Sequence, residues 1–336
     1  MADRRAAIAF YGLLFSVTLW PTAGQSAVFS AGDLLVGGRP GYLFQGGTAY
    51  IEDYSPSGVF QQHAAFIDNG HPRDMLMVGG DVVIADGQIL TRLSSNGALT
   101  LAVPVVFENF TDSLAADKEG DIYVGDLLGV VRLTKISPSG SVLARFAVPF
   151  EQNDLTALDL QPDQCTMLYG SAGSHVQQYD VCKGISLPNF AVLPAGTVTD
   201  LRILANGNVV AASTSGITVF DATGKALRTF LSNESILSIA MLPDEQAAWV
   251  SLGISPTGTR TYLIEKVDLL TGNVIAGPVD IQIPNRPEFS ADALLVAGTL
   301  RVAQRSAETV AVPSLSTPLL LLMLITIAVT AIRRLS

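Results

Sequence analysis

The fold is decided by residues 198–230, which read VTDLRILANGNVVAASTSGITVFDATGKALRTF. Apolar segments of four to seven residues alternate here with tight turns at Asn206-Gly207-Asn208, at Ser215-Gly216 and at Asp221-Ala222-Thr223-Gly224. Short strands bounded by Asn, Asp, Ser and Gly are typical of antiparallel hairpins. The segment therefore predicts four strands joined by three turns, a β-meander.

The turn before the last strand of this unit recurs along the chain. Its glycines are Gly58, Gly97, Gly140, Gly184, Gly224 and Gly272, which are 39, 43, 44, 40 and 48 residues apart. A four-stranded antiparallel unit repeated at about 40 residues is the signature of a β-propeller. The sequence predicts an all-β propeller of six blades, with seven as the alternative.

The ring must also close, and the two ends of the repeat region supply the strands for this. Apolar strands are expected at Asp33 to Val36 before the first marked turn, and at Ala291 to Val296 and Thr299 to Ala303 after the last one. Together these strands can complete the first blade. The predicted propeller therefore covers residues 28–303.

One line of the repeat, Ser113 to Val124 (SLAADKEGDIYV), resembles the repeats of NHL- and YVTN-type propellers. The resemblance covers residues 30–303. Propellers of this kind serve many unrelated functions, so the resemblance implies a fold and not an activity.

Composition excludes several classes of protein. The chain has 336 residues, of which 49% are hydrophobic and 15% are charged, which argues against disorder. Its formal net charge is -10, the wrong sign for binding nucleic acid.

Residues 1–27 have the layout of a secretory signal peptide. Arg4 and Arg5 precede an apolar run from Ala6 to Trp20, and small residues follow up to Ala27. The run is shorter than the roughly 20 residues that span a bilayer, which favours a cleaved signal over a permanent anchor. We therefore expect the protein to be exported through the inner membrane.

The other end of the chain has three parts in order: the motif Val312-Pro313-Ser314-Leu315-Ser316, an apolar stretch from Pro318 to Ile332, and Arg333-Arg334. This arrangement resembles bacterial C-terminal sorting signals of the exosortase type, in particular the IPTL-CTERM group and the related PEP-CTERM signals. The apolar stretch itself predicts a transmembrane helix, which with the Arg-rich tail covers residues 318–336. Residues 304–317 have neither a strand pattern nor aromatic residues, which predicts a flexible tether. The resemblance implies a sorting peptidase as a partner. The arginines fit a helix end that stays on the cytoplasmic face. The expected location is the cell envelope or surface, with at least transient membrane anchoring.

The chain has two cysteines, Cys165 and Cys182. The turn-prone stretch Ser171-Ala172-Gly173-Ser174 lies midway between them, so a hairpin closing there brings them opposite each other, close enough to bridge. Export to an oxidising compartment favours a disulfide over two free thiols.

Candidate site residues lie where the inner strands of the ring begin. The loops expected there carry Asp74, Asp112, Asp154 and Asp200, together with His71 and Arg73. Several carboxylates facing one channel can hold Ca²⁺, which takes six to eight oxygen ligands. Turn capping explains the same acids more simply, because Asp side chains accept hydrogen bonds from local backbone N–H groups.

No catalytic motif accompanies these acids. HExxH, GxSxG and P-loop patterns are absent from the sequence, and none of His63, His71 and His175 has another histidine at metal-ligand spacing. The sequence therefore favours a non-catalytic, exported binding module for an unknown protein or glycan ligand, without a cofactor. The alternative is an exported lactonase-like or lyase-like propeller enzyme with a divalent metal in the central channel.

Overall fold

A computed structural model describes residues 28–40, 48–68, 70–102, 107–127, 133–152, 154–254, 261–279, 281 and 289–305. The predicted signal peptide, the sorting motif and the C-terminal hydrophobic stretch lie outside these residues. Within the described part of the chain, no helix is long and apolar enough to cross a membrane.

The described strands form six four-stranded sheets, which we call blades 1 to 6. From the channel outward, blade 1 contains β24 (Phe289–Val296), β1 (Leu34–Pro40), β2 (Ala49–Tyr54) and β3 (Phe60–Ile67). Blade 2 contains β4 (Pro72–Val78), β5 (Asp81–Asp86), β6 (Ile89–Leu93) and β7 (Leu99–Leu101). Blade 3 contains β8 (Phe110–Ala116), β9 (Ile122–Leu127), β10 (Leu133–Ile136) and β11 (Val142–Phe146). Blade 4 contains β12 (Ala157–Leu160), β13 (Thr166–Gly170), β14 (His175–Asp180) and β15 (Ile185–Val192); blade 5 contains β16 (Val198–Ile203), β17 (Val209–Ser213), β18 (Gly216–Phe220) and β19 (Ala226–Phe230); blade 6 contains β20 (Ile236–Met241), β21 (Ala247–Ile254), β22 (Thr261–Asp268) and β23 (Val274–Ala276).

The sheets close into a ring, so the predicted count of six blades is confirmed and the alternative of seven is wrong. The innermost strands contact one another in the circular order β24, β4, β8, β12, β16, β20 and back to β24. Closure is made in blade 1, where the late strand β24 pairs with the early strand β1. Because every blade has four antiparallel strands, each inner strand begins at the same end of the channel. We call that end the upper mouth and the opposite end the lower mouth.

The recurrent turn joins the third and fourth strands of each blade, on the lower face. All six of its glycines have positive φ values, between 70° at Gly184 and 88° at Gly140. Glycine adopts this left-handed conformation without the steric cost that a side chain imposes. The repeat that revealed the blades is therefore a backbone requirement of the turn.

Apolar side chains between neighbouring blades form the core. Each of the six blade interfaces has its own buried cluster, such as Met75, Val82 and Ile84 of blade 2 packed against blade 1. The middle strands are buried on both faces, as in β17 and β18, where every residue is buried. Such strands are continuous apolar runs because both of their faces pack against other sheets.

The segment after β24 departs from the prediction. Thr299 to Ala303 was expected to be a strand, but β1 is already paired on both sides, with β2 and β24. The chain instead turns across the lower mouth and forms the short helix α1 (Val302–Arg305). Gln304 and Arg305, which the sequence assigned to the tether, are held against the ring. We call residues 299–305 the strap.

The predicted disulfide between Cys165 and Cys182 is present. Strands β13 and β14 form the expected hairpin, with Thr166 opposite Asp180, and the cysteines lie just beyond this pair. The bridge therefore joins two turns of blade 4 on the lower face.

Candidate functional site

The upper mouth is shaped by bulges in the inner strands. Five of the described inner strands shift register near their beginning, for example between Pro72 and Asp74 in β4. The residues left out of the pairing are Arg73, Asp112, Thr199, Leu237 and Asp292. A bulge bends the strand and re-aims the extra side chain. Asp74, Asp112 and Asp200, expected in loops, thus lie within strands, at or beside these bulges.

Arg73 is the central cation of this mouth. Its Nε lies 3.0 Å from Oδ1 of Asp112 on the neighbouring blade. Burial alone lowers the pKa of the guanidinium, but the negative charges of Asp112, Asp292 and Asp154 outweigh burial and raise it. One guanidinium thus faces carboxylates from three other blades, and it stays charged at any pH at which the protein is folded.

Asp112 is the titrating group of the mouth. Burial raises its pKa to about 6; Arg73 opposes the shift, whereas Asp154, Asp74 and Asp292 add to it. Its side chain is 10% exposed and that of Arg73 is 19% exposed. The pair is therefore mostly desolvated but still reachable from solvent.

Below the bulges, aspartates of blades 2, 4 and 5 bind backbone N–H groups of the next blade. Asp74 accepts hydrogen bonds from its neighbour Met75 N–H (2.8 Å) and from Leu114 N–H of blade 3 (2.8 Å). Asp200 does the same with Leu201 N–H (2.8 Å) and Ile239 N–H of blade 6 (2.7 Å). The capping role expected of these acids is thus met by backbone N–H groups, half of them on the next blade.

Two arginines neutralise these channel acids. The Arg202 guanidinium pairs with Asp200 through Nη1, and its Nη2 lies 3.6 Å from Asp74. From the strap, Arg301 places Nη2 3.5 Å from Asp74 and Nη1 3.9 Å from Asp159. In Arg202 burial disfavours the charged guanidinium, but the carboxylates of Asp200, Asp74 and Asp159 outweigh burial and raise its pKa.

The histidines do not converge on the channel. His71 is buried beside the Phe110 ring, 6.0 Å between centroids, and its backbone N–H donates to Asp86. His63 lies 3.5 Å from Glu52 on the outer part of blade 1, and His175 pairs with Glu151 on blade 4. Each histidine belongs to a different local cluster.

No group of three His, Cys, Asp or Glu residues in the described ranges could hold a metal ion. Asp74 and Asp200 use oxygens on backbone N–H groups and on guanidiniums, which leaves few of the six to eight oxygen ligands that Ca²⁺ takes. The calcium site stays a prediction.

Sequence reasoning brought together Arg73, Asp74, Asp112, Asp154 and Asp200, and it missed Arg202, Asp159, Asp292 and Arg301. Arg202 could have been predicted from the sequence, because residues i and i+2 of a strand share a face and Asp200 was already a channel candidate. Asp292 could have been found by aligning Ala291-Asp292-Ala293-Leu294 with the other inner strands. No local signal points to Arg301, which arrives from a non-repeated segment.

Comparison with solved structures agrees with the fold. A protein of unknown function from Bacteroides caccae has a TM-score of 0.59 at 12% identity, over 80% of this chain and 100% of that one. A gluconolactonase from Xanthomonas campestris has a TM-score of 0.53 at 16% identity, over 71% of this chain and 87% of that one. A putative gluconolactonase has a TM-score of 0.52 at 14% identity, over 74% and 95%.

At these identities the similarity shows the fold alone. No family model matches the sequence, and no curated protein matches it. The fold and the site thus define the class of protein: a six-bladed β-propeller with an ionic upper mouth and a strapped lower mouth.

Proposed function

We propose that the protein is an exported binding module whose upper mouth receives a protein or glycan ligand. The observation that carries the proposal is the difference between the two ends of the channel. The strap lies across the lower mouth and is bonded to it, whereas the upper mouth has reachable charged side chains from four blades. A ligand can therefore be recognised at the upper mouth without rearrangement of the ring.

The charge of the mouth limits the ligand. Arg73 carries one positive charge, against three carboxylates at Asp112, Asp154 and Asp292. A ligand group with hydrogen-bond donors, such as an amine, an amide or a sugar hydroxyl, suits these acceptors, and Arg73 supplies donors for one oxygen of the same ligand. Dedicated anions are disfavoured because the carboxylates outnumber the guanidinium.

Export is supported by the disulfide, because such bonds persist in oxidising compartments. Both ends of the described chain lie on the lower face: Val28 donates its N–H to Ser95 O (2.8 Å) in a lower turn, and Arg305 pairs with Glu245 in another. The 12 residues from 306 to 317 can extend to at most about 43 Å. If residues 318–336 anchor the protein as proposed, the lower face lies toward the membrane and the upper mouth faces away from it.

The ligand proposal is tested by probing glycan and peptide arrays with the purified protein and three variants. We expect bound spots that disappear with Arg73→Met or Asp154→Asn at the upper mouth and persist with Lys183→Ala, a control at an exposed lysine on the lower face. Binding that survives both mouth variants would rule out this surface, and a failure of all spots would rule out the tested ligand classes.

The envelope proposal is tested separately by intact-mass and fractionation analysis of the natively expressed protein, with divalent metal measured on the same sample. Loss of residues 1–27 and a membrane fraction, or a cut near Pro313, supports export and sorting. Stoichiometric calcium, lost with Asp112→Asn, would instead favour the metal-containing propeller enzyme.

A further inference from the structure

The strap is held by side chains from blades that are far apart in sequence. Gln304 donates from Nε2 to Met77 O at the end of β4 (2.8 Å). The Oε1 atom of Gln304 accepts a hydrogen bond from the backbone N–H of Arg301 (3.0 Å). Arg301 donates from Nη1 to Leu158 O at β12 (3.1 Å). The strap therefore joins blades 2 and 4 across the channel.

Two turns at the rim of the lower mouth complete the contact. Gln164 of blade 4 donates to Ala303 O (3.0 Å), and Glu245 of blade 6 pairs with Arg305. These two residues have positive φ values, 62° and 57°. The corresponding turns of blades 3 and 5 are one residue shorter and have glycine at the left-handed position, Gly120 and Gly207, with φ values of 83° and 84°.

Glutamine and glutamate are costly in this conformation, because a side chain crowds the backbone there. A turn that needs only the backbone shape is better served by glycine, as blades 3 and 5 show. The side chains of Gln164 and Glu245 are thus present against a local steric preference. Both bind the strap, and each also accepts a hydrogen bond from the preceding blade, from Lys118 N–H at Gln164 (3.0 Å) and from Ala205 N–H at Glu245 (2.8 Å).

Inside the channel the strap presents a guanidinium to a prepared set of acceptors. The side chain of Arg301 is 8% exposed and lies between Asp74 and Asp159, which are 9% and 1% exposed. Burial raises the pKa of Asp159, and Arg301 is the strongest influence in the opposite direction. A cavity of about 40 Å³ beside Arg301 is lined by Asp159, Arg202, Glu245 and Arg305.

We propose that the lower mouth is a binding site for an arginine-bearing segment, and that the protein fills it in cis with its own strap. Asp74, Asp159 and Leu158 O receive the guanidinium of Arg301, while Gln164 and Glu245 hold the segment at the rim. Because the strap is tethered to β24, its effective concentration keeps out a free competitor. The lower mouth is therefore closed unless the strap is displaced.

The proposal is tested by chemical rescue in the full chain. Arg301→Ala removes one of the two guanidiniums that neutralise the buried carboxylates of Asp74 and Asp159, so we expect the Tm to fall by about 5–10 °C. Millimolar methylguanidinium should restore a large part of the loss in a saturable manner, whereas methylammonium at the same concentration should restore less. The wild type and Arg145→Ala, a control at an exposed arginine, should not respond.

Absence of rescue, or equal stabilisation of the wild type and the control, would overturn the proposal. If Arg301→Ala does not fold alone, the same comparison is made on refolding yield with and without methylguanidinium. Soluble protein that appears with methylguanidinium supports the site, and equal yields contradict it.

A second variant tests the turns with positive φ values and does not remove a buried charge. Gln164→Gly suits the local φ and should raise the Tm if the side chain has no role. We expect instead a lower Tm and faster hydrogen exchange at residues 299–305, with Gly120→Ala as the control for strain alone. An unchanged or higher Tm with unchanged exchange in the strap would contradict the role of Gln164.

Discussion

The two mouths of the channel are built from the same inner strands but treat charge differently. In the channel below the bulges, toward the lower mouth, the carboxylates of Asp74, Asp159 and Asp200 are matched by Arg202 and Arg301 and by backbone N–H groups of the next blade. At the upper mouth Arg73 meets Asp112 while Asp154 and Asp292 act on it from neighbouring blades.

This difference distinguishes charges that are paired within the protein from charges that a ligand could contact. A buried ion must be paired and hydrogen-bonded, because desolvation costs several kcal/mol per ion. The lower mouth meets that requirement within the protein itself. Among the described residues of the upper mouth the carboxylates outnumber the guanidinium of Arg73, and Arg73 and Asp112 are partly exposed, which is why we propose a ligand that brings hydrogen-bond donors.

The largest effect is expected from removing a lower-channel acid. Asp200→Ala leaves the Arg202 guanidinium without its closest carboxylate and Ile239 N–H without its acceptor, so the free energy of unfolding should fall by about 3–5 kcal/mol. Arg73→Ala at the upper mouth should cost only about 1–2 kcal/mol, because Asp112, whose pKa is already raised to about 6, can take up a proton when the guanidinium is removed. Urea unfolding of both variants measures the comparison, and equal losses would mean that the two mouths do not differ in this way.

Removing the disulfide, a covalent link on the lower face, should cause the next largest loss in the free energy of unfolding. Cys165 and Cys182 are 17 residues apart, a loop for which cross-linking stabilises by about 3 kcal/mol. The double variant Cys165→Ser with Cys182→Ser should lose this amount in urea unfolding. Wild type under reducing conditions is the matched control and should show the same loss.

Part of the pH dependence of stability should come from the upper mouth. The folded-state pKa of Asp112 is raised to about 6, above its unfolded value, so the folded state binds more protons between about pH 4 and pH 6. Stability contributed by this group is present below pH 4 and is lost as the pH rises through 6.

Asp112→Asn should therefore flatten the fall in Tm between pH 4 and pH 6, and at pH 7.5 it should be at least as stable as the wild type. The pKa of Asp53 in blade 1 is also raised to about 6, mainly by burial. Asp53→Asn is the control for a titrating group away from the upper mouth. It should flatten the same dependence of Tm on pH without affecting ligand binding. A Tm profile unchanged in Asp112→Asn would contradict the assignment.

The smallest loss in the free energy of unfolding is expected from removing a hydroxyl near the upper end of the ring. Thr156 donates from Oγ1 to Val198 O of the next blade (2.8 Å). Thr156→Val keeps the shape and removes the donor, which should cost about 1 kcal/mol. Thr100→Val, at an exposed position in β7, should stay within about 0.5 kcal/mol of the wild type. A loss as large as that of Asp200→Ala would show that the upper ring is as tightly coupled as the lower one.

The amino-acid sequence by itself determined the architecture. The glycines of the recurrent turn marked six blades because a left-handed backbone position favours glycine, and all six of these turns have it. The disulfide was also predictable from one short hairpin, and the pairing of β24 with β1 was predictable because a ring of repeated blades has to close with strands from both ends of the repeat region.

Only the tertiary structure decided which charges meet and which end of the channel is closed. Arg301 reaches Leu158 across 143 residues and Gln304 reaches Met77 across 227 residues, and no local pattern encodes such contacts. The segment from Thr299 to Ala303 was predicted to be a strand because its composition permits one. It became part of the strap because β1 had no free edge, while buried carboxylates at the lower mouth required a cation.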